Sequence, residues 1–182
     1  INWVTGSFGS HPSCLYPMSI LQGEGAHCEF TGVTFAGAGQ YLDTGSKVVH
    51  NAPHTSSNIN SKSISKGGGV SIYRGCVVIN PRAEGAKANV SCESLMLDEQ
   101  SQSDTIPAIV VKNDNIDLGH EASIGRISDE AIFYLMSRGL SEDEARAMLV
   151  RGFVEPVSKA LPLEYAVEMN NLINLELKGS LK

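Results

Sequence analysis

Basic charge, long apolar runs and aromatic rings are all scarce in this sequence of 182 residues. The 14 lysines and arginines are outnumbered by 20 aspartates and glutamates, so a surface that neutralises nucleic-acid phosphates is not expected. Apolar stretches such as residues 131–136 are far shorter than the roughly 20 residues that a membrane-spanning helix needs. Neither nucleic acid nor a membrane is therefore an expected partner.

Cysteine is also sparse, and no signal peptide is visible. The four cysteines are widely spaced and include no Cys-x-x-Cys pair, which predicts reduced thiols and a cytoplasmic protein. Residues 1–4 read as a strand and no methionine precedes them, so we expect a fragment or processed product that begins within the fold. The cysteines are Cys14, Cys28, Cys76 and Cys92.

What the sequence does contain falls into two parts, and the first, residues 1–127, has the pattern of many short strands. Apolar residues alternate with small or polar ones, as in residues 70–79, and turn signals such as residues 67–69 and 80–81 separate the runs. Short strands with small inward-facing residues favour a parallel β-solenoid. The pattern alone leaves a β-sandwich open.

The second part, residues 128–182, has the pattern of three helices. Ser128 is a candidate N-cap, and residues 141–144 form a capping box for a second helix that we expect Pro156 to break or kink. A third helix is expected after Pro162, ending at Gly179. The predicted apolar faces of the first two helices are Ala131, Ile132, Leu135 and Met136, and Ala145, Met148, Leu149, Gly152 and Phe153.

Motifs of known enzyme classes are few. Residues 66–69 are rich in glycine but lack the Gly-Lys-Ser/Thr sequence of a phosphate-binding loop, so a turn is expected there. His50 and His54 have a spacing that would suit a metal site on a helix, but Pro53 disfavours that helix. No Ser-His-Asp arrangement stands out.

Cys92 and the pair His120 and Glu121 are the strongest candidates for a functional site. Strand alternation places Cys92 in phase with apolar neighbours, which predicts an inward-facing thiol. The same argument places His120 inward and Glu121 outward. A thiolate, an imidazole and a carboxylate brought together would suit iron or an iron–sulfur unit.

One long segment, residues 119–141 (GHEASIGRISDEAIFYLMSRGLS), is distinctive, and it resembles the SufB/SufD family of the SUF iron–sulfur cluster assembly system. Shorter matching segments follow the family's order through nearly the whole chain. They are residues 42–47 (LDTGSK), 73–75 (YRG), 91–95 (SCESL), 151–153 (RGF) and 163–166 (LEYA).

The resemblance implies a mainly β fold with added helices. It consists of late coils of a right-handed parallel β-helix over residues 1–127, followed by a small helical domain over residues 128–182. In the family, SufB is a scaffold on which a nascent iron–sulfur cluster assembles transiently, in a complex with SufD and the ATPase SufC. The chain would then be a scaffold rather than an enzyme.

The resemblance also implies a site. Cys92 and Glu121 match positions of a functional cysteine and a functional glutamate in SufB, and His120 adjoins the latter. SufD proteins lack that cysteine, so Cys92 favours SufB. Gly119 departs from the pattern, because some SufB proteins have an acidic residue at that position.

Partners follow from the same resemblance: a SufC-type ATPase, together with a SufD-like subunit or a second copy of the chain. Two alternatives remain. One is a SufD-like structural subunit without cluster ligands, and the other is a carbohydrate-active β-helix enzyme, for which no acidic pair is evident. The residues expected to dock the ATPase are Met148, Leu149, Arg151, Phe153 and Val154.

Overall fold

The structure, a computed structural model, describes residues 1–178, which form ten β-strands followed by three α-helices. The strands are β1 (Asn2–Phe8), β2 (Ser13–Leu15), β3 (Met18–Leu21), β4 (His27–Ala36), β5 (Tyr41–His50), β6 (Ser56–Ser65), β7 (Val70–Ile79), β8 (Ala86–Met96), β9 (Gln102–Val111) and β10 (Ile116–Arg126). The helices are α1 (Asp129–Ser137), α2 (Glu142–Ala160) and α3 (Leu163–Leu177).

The strands wind through two sheets as coils of a β-solenoid. β1, β4, β6, β8 and β10 form the first sheet in that order; β2, β5, β7 and β9 form the second, where β3 also pairs with β5. Every pairing is parallel. A β-sandwich would pair its strands mainly antiparallel, so that alternative is excluded. The predicted solenoid is confirmed, with about four turns.

The interior between the two sheets contains many hydroxyl groups. The Ser65 and Ser71 hydroxyl oxygens lie 2.9 Å apart, and Ser71 donates to the Ser103 hydroxyl at 3.0 Å. Such pairing offsets the cost of burying polar groups. The apolar part of the interior includes Phe30, Ile59, Tyr73, Val77, Val90 and Cys92.

Two of the shorter matching segments, residues 42–47 and 73–75, contact each other on the outer face of the second sheet. Asp43 accepts three hydrogen bonds from the Arg74 guanidinium, at 2.9, 3.1 and 3.0 Å, and these bonds lower the pKa of Asp43. Gly45 lies opposite Arg74 in the strand register, and a Cβ atom there would overlap the Arg74 backbone oxygen. These two segments therefore have a structural role in holding adjacent coils together.

The helix starts agree with the sequence. The Ser128 hydroxyl accepts a hydrogen bond from the Ala131 backbone N–H, and Ser141 and Glu144 form the predicted capping box. α3 begins directly after Pro162. Its expected end at Gly179 lies outside the described residues.

Pro156 was expected to break or kink the second helix, and the break is wrong, because α2 continues to Ala160. Pro156 and Gly152 both lie on the exposed side of the helix, so water can satisfy the Gly152 carbonyl that loses its helical partner. On the opposite side, Val154 and Val157 are buried and pack the helix against the solenoid. This packing explains why the helix persists.

The helices pack on the outer face of the first sheet. One hydrophobic cluster joins Phe35 and Ile64 of the strands to Val150, Val154 and Ile173 of α2 and α3. β10 ends at Arg126 and α1 begins at Asp129, close to the boundary expected from the sequence. The division into two domains stays a prediction, since this cluster contains residues of both parts.

Candidate functional site

Cys92 lies in the interior of the solenoid. Its strand, β8, alternates between buried and more exposed residues, and the side chain of Cys92 is only 3% exposed. It belongs to the cluster between the sheets, together with Tyr73 and Val90. Burial raises the pKa of the Cys92 thiol to about 11, because a thiolate loses its hydration there. In this conformation the thiol is neutral and protected.

Tyr73 is a polar neighbour of Cys92 in that interior. Its phenol oxygen lies 2.7 Å from the hydroxyl oxygen of Ser46, and its ring is 2% exposed. Burial raises the pKa of Tyr73, and a negative charge on Cys92 would raise it further. The thiol therefore lies near a buried hydroxyl pair as well as apolar side chains.

His120 and Glu121 lie on β10, the last strand of the solenoid, and both are exposed. Glu121 is opposite Ser91 in the register of β8 and β10, and accepts a hydrogen bond of 2.9 Å from its hydroxyl. His120 is opposite Val90, an inward-facing residue. Its position on the inner face agrees with the alternation, but that face of β10 is open to solvent.

The structure does not bring Cys92 and Glu121 together. Cys92 is opposite Ala122, one residue beyond Glu121, so the thiol and the carboxylate project from opposite faces of the same sheet. Within residues 1–178, no group of three or more histidine, cysteine, aspartate or glutamate side chains could hold a metal ion. A complete ligand set is therefore absent from the described part of this single chain, and the assignment of these residues as ligands stays a prediction.

Gly119 lies at the end of a polar ladder on the outer face of the first sheet. Asn58 donates a hydrogen bond to Glu29 at 2.8 Å, and Asn89 donates to Asn58 at 3.2 Å. Gly119 continues this row, and a Cβ atom there would lie 2.8 Å from the Asn89 side-chain oxygen. A larger residue at position 119 would require Asn89 to turn away.

The last coil leaves apolar side chains exposed. In the described sheets, β9 and β10 are terminal strands, each paired on one side only. The sequence analysis did not identify this edge, although three consecutive apolar residues at 109–111 indicate an exposed or partner-covered strand. Its large exposed apolar side chains are Ile106, Ile109, Val110, Val111 and Ile124.

The residues expected to dock an ATPase differ widely in accessibility. Met148 and Arg151 are exposed on α2, and Leu149 is half-buried. Phe153 is also half-buried, with the Lys62 amino group 4.5 Å from its ring centroid. Val154 is fully buried in the cluster beneath the helix, so in this conformation it supports the surface rather than forming it.

The apolar faces predicted for the first two helices are only partly covered by the solenoid. Met136 and Met148, which belong to these faces, are 42% and 50% exposed. The solenoid instead covers a stripe of valines on α2, including Val150 and Val154, while on α1 only Ile132 is buried. As a result α1 also exposes Phe133 and Tyr134, aromatic residues that sequence reasoning did not connect with partner binding.

His50 and His54 were considered as a metal-binding pair in the sequence, and the structure gives His50 a role in the core instead. His50 ends β5 and is fully buried, with its two ring nitrogens 2.9 Å from the hydroxyl oxygens of Thr55 and Ser57. Thr55 donates its own proton to the Ala52 carbonyl, so it accepts from Nδ1 of His50. Burial lowers the pKa of His50, which is consistent with a neutral core histidine.

Comparison with known proteins agrees with this architecture. The model of the family "SUF system FeS cluster assembly, SufBD core domain" matches residues 1–153. A relative from Staphylococcus saprophyticus, named as an iron-sulfur cluster assembly SufBD family protein, is 53% identical over 181 residues. Relatives of the same name from Staphylococcus haemolyticus and Staphylococcus epidermidis are each 54% identical.

These matches cover all of this chain but 39% of each relative's length. Among residues 1–178, no helix is long and apolar enough to cross a bilayer. The four cysteines are free thiols, as the sequence predicted. Since the family model matches residues 1–153, which include the whole solenoid, α1 and the first part of α2, the chain belongs to the SufBD family of iron–sulfur cluster assembly proteins.

Proposed function

We propose that this chain is the C-terminal part of a SufB-type scaffold on which a nascent iron–sulfur cluster is assembled in the cytoplasm. It performs no catalysis itself, and ATP is hydrolysed by a partner. The observation that carries the proposal is the thiol of Cys92, which lies in the last coils of a SufBD-family solenoid. By resemblance, SufB proteins have a functional cysteine there and SufD proteins lack it.

The chemistry of the donors suits a transient product. A thiolate is a soft ligand for iron and sulfide, whereas the Glu121 carboxylate and the His120 imidazole bind iron more weakly. A site with one thiolate releases its cluster more readily than a site with four. Because Cys92 is buried and Glu121 faces the other way, cluster assembly requires the last coils to open or a second subunit to add ligands.

The exposed edge of the last coil supports the second of these alternatives, in which another subunit adds ligands. In the described sheets, strands that are paired on one side only, such as β9, offer backbone hydrogen-bonding groups, and the apolar side chains of residues 106–111 favour burial. We place the SufD-like subunit, or a second copy of the chain, at this edge. The partner would then lie beside both Cys92 and Glu121.

The helical part, residues 128–182, is proposed as the domain that docks a SufC-type ATPase. Its exposed apolar and cationic side chains, Met148 and Arg151 of α2, support a protein contact. Leu149, Phe153 and the buried Val154 would maintain the shape of that surface. Phe133 and Tyr134 of α1 are further exposed aromatic side chains of the helical part.

The alternative is a SufD-like structural subunit, which the burial of Cys92 and the outward direction of Glu121 favour. Anaerobic reconstitution of the full chain with iron and sulfide, with and without the partner subunits, separates the two. A scaffold develops visible charge-transfer absorption that gel filtration retains with the protein. A protein that binds the ATPase but never acquires this absorption is a structural subunit, and the scaffold proposal is then wrong.

A further inference from the structure

The last turn of α3 contacts the solenoid through a buried carboxyl group. Glu176 is 2% exposed, although it lies near the end of a helix on the outside of the protein. It packs against Gly37 in the turn between β4 and β5, where a Cβ atom would lie 2.8 Å from the Glu176 Oε2 atom. The absence of a side chain at residue 37 is therefore what lets the carboxyl group approach this turn.

The partners of Glu176 come from three separate turns of the solenoid. Gln40 donates a hydrogen bond to Oε1 at 3.4 Å, which is long, and the Gly9 backbone N–H donates another. Lys66 contributes a positive charge nearby, but its amino group donates to the Leu177 backbone oxygen. Among residues 1–178, Lys66 is the charged side chain of the solenoid that acts on Glu176.

The groups around Glu176 offset only part of the cost of burying its ionised carboxylate. Burial raises the pKa of Glu176, while Gln40, the Gly9 N–H and the charge of Lys66 lower it to a smaller extent. When the end of α3 leaves the solenoid, the carboxyl group returns to water and to its ordinary pKa. The docked state thus binds the proton more tightly than the released state, and the contact weakens as pH rises through the docked pKa.

We propose that Glu176 makes the contact between α3 and the solenoid a releasable latch, which is closed most firmly when its carboxyl group is protonated. When the carboxyl group is ionised, this end of the helix is easier to detach than the part held by the apolar cluster around Ile173. The use of such a latch rests on the proposed function, since an ATPase bound to the helices would pull on them. The latch itself depends only on residues of this chain.

The experiment is hydrogen exchange by mass spectrometry on the full chain from pH 5 to pH 8, corrected for the intrinsic pH dependence of exchange. In the unmodified chain, protection of residues 37–40 and 173–177 is expected to fall as pH rises. Glu176→Gln retains an acceptor but cannot ionise, so these segments should exchange about tenfold more slowly at pH 8 and lose the pH dependence. Glu164→Gln, at an exposed position on the same helix, should behave like the unmodified chain.

Lys66→Gln provides a second test that does not depend on the folding of the first variant. Removing the cation disfavours the ionised carboxylate, so the pH dependence should become steeper. The proposal is overturned if Glu176→Gln exchanges as fast as the unmodified chain at pH 8, or if its pH dependence persists. Neither result bears on cluster assembly, because the measurement uses no iron, sulfide or ATPase.

Discussion

Cys92 and Glu121 lie on adjacent, hydrogen-bonded strands and project from opposite faces of one sheet. The strand register places Ala122, not Glu121, beside Cys92. The two residues that the family resemblance singles out are thus close along the solenoid axis but separated by the sheet itself. Any complex that uses both as ligands has to reach around or open the last coils.

Replacing the thiol tests its role directly. Cys92→Ser should prevent the appearance of charge-transfer absorption on anaerobic reconstitution, because a hydroxyl group is a poor ligand for iron–sulfur units. Cys28→Ser is the matched control, since Cys28 is also buried in the solenoid interior, at 1% exposure. Cys92→Ser buries a hydroxyl at a cost of about 1–3 kcal/mol, which circular dichroism and urea unfolding will reveal, whereas the Cys28 position keeps the Ser19 hydroxyl as a hydrogen-bond partner. Normal absorption in Cys92→Ser would remove this residue from the site.

The accessibility of the same thiol can be measured without iron. With a pKa of about 11, Cys92 is expected to be roughly one part in a thousand thiolate at pH 8, and its burial slows modification further. Cys14 is exposed and should react first with iodoacetamide. Peptide mass spectrometry over time gives both rates. Equal rates for Cys14 and Cys92 would mean that the last coils open readily in the isolated chain.

Glu121→Gln tests the carboxylate. The amide can still accept the hydrogen bond from Ser91, so stability should change by less than about 0.5 kcal/mol at this exposed strand position. If the carboxylate helps to hold iron, cluster yield in the complex with partner subunits falls. Asp117→Asn changes another exposed carboxylate of β10 and should leave the yield unchanged. A yield that responds equally to both substitutions would indicate a general charge effect.

The buried histidine predicts a dependence of stability on pH. Burial lowers the pKa of His50 in the folded protein, so below about pH 6.5 the unfolded state binds a proton that the folded state does not. The free energy of unfolding should therefore fall as pH decreases from 7.5 to 5.5, by up to about 1.4 kcal/mol per pH unit. Urea unfolding measures this slope.

A comparison of variants assigns that slope to His50. His50→Gln should be less stable at pH 7.5 but should have a flatter pH dependence. His11→Gln, at an exposed position, should keep the slope of the unmodified chain. If His50→Gln retains the full slope, another group causes it.

Gly45→Ala tests the contact between residues 42–47 and residues 73–75 in the second sheet. The added Cβ atom would overlap the Arg74 backbone oxygen, which cannot move without separating β5 from β7. We expect a loss of at least about 2 kcal/mol in the free energy of unfolding. Gly23→Ala is the control, because a Cβ atom there meets no atom within 4 Å. Equal stability of the two variants would contradict the tight packing of residues 42–47.

Local sequence patterns were sufficient to predict the strands of the solenoid and the starts of the helices. The alternation along β8 places the side chain of Cys92 inward because successive residues of a strand face opposite sides. The hydroxyl groups of Ser128 and Ser141 mark helix starts because they satisfy backbone N–H groups that have no helical partner. The preference for a solenoid also followed from short strands with small inward residues, although pairing direction was needed to exclude a sandwich.

Tertiary structure decided the rest. The continuation of α2 through Pro156 depends on the packing of Val154 and Val157 against distant strands, which outweighs the local preference of proline. The pairing of Cys92 with Ala122 and of Glu121 with Ser91 depends on the register between strand positions 30 residues apart, which no local pattern encodes. The exposure of His120 depends on the absence of a facing strand in the described second sheet. Side-chain direction is a local property of the backbone, whereas neighbours and burial are set by segments far apart in the chain.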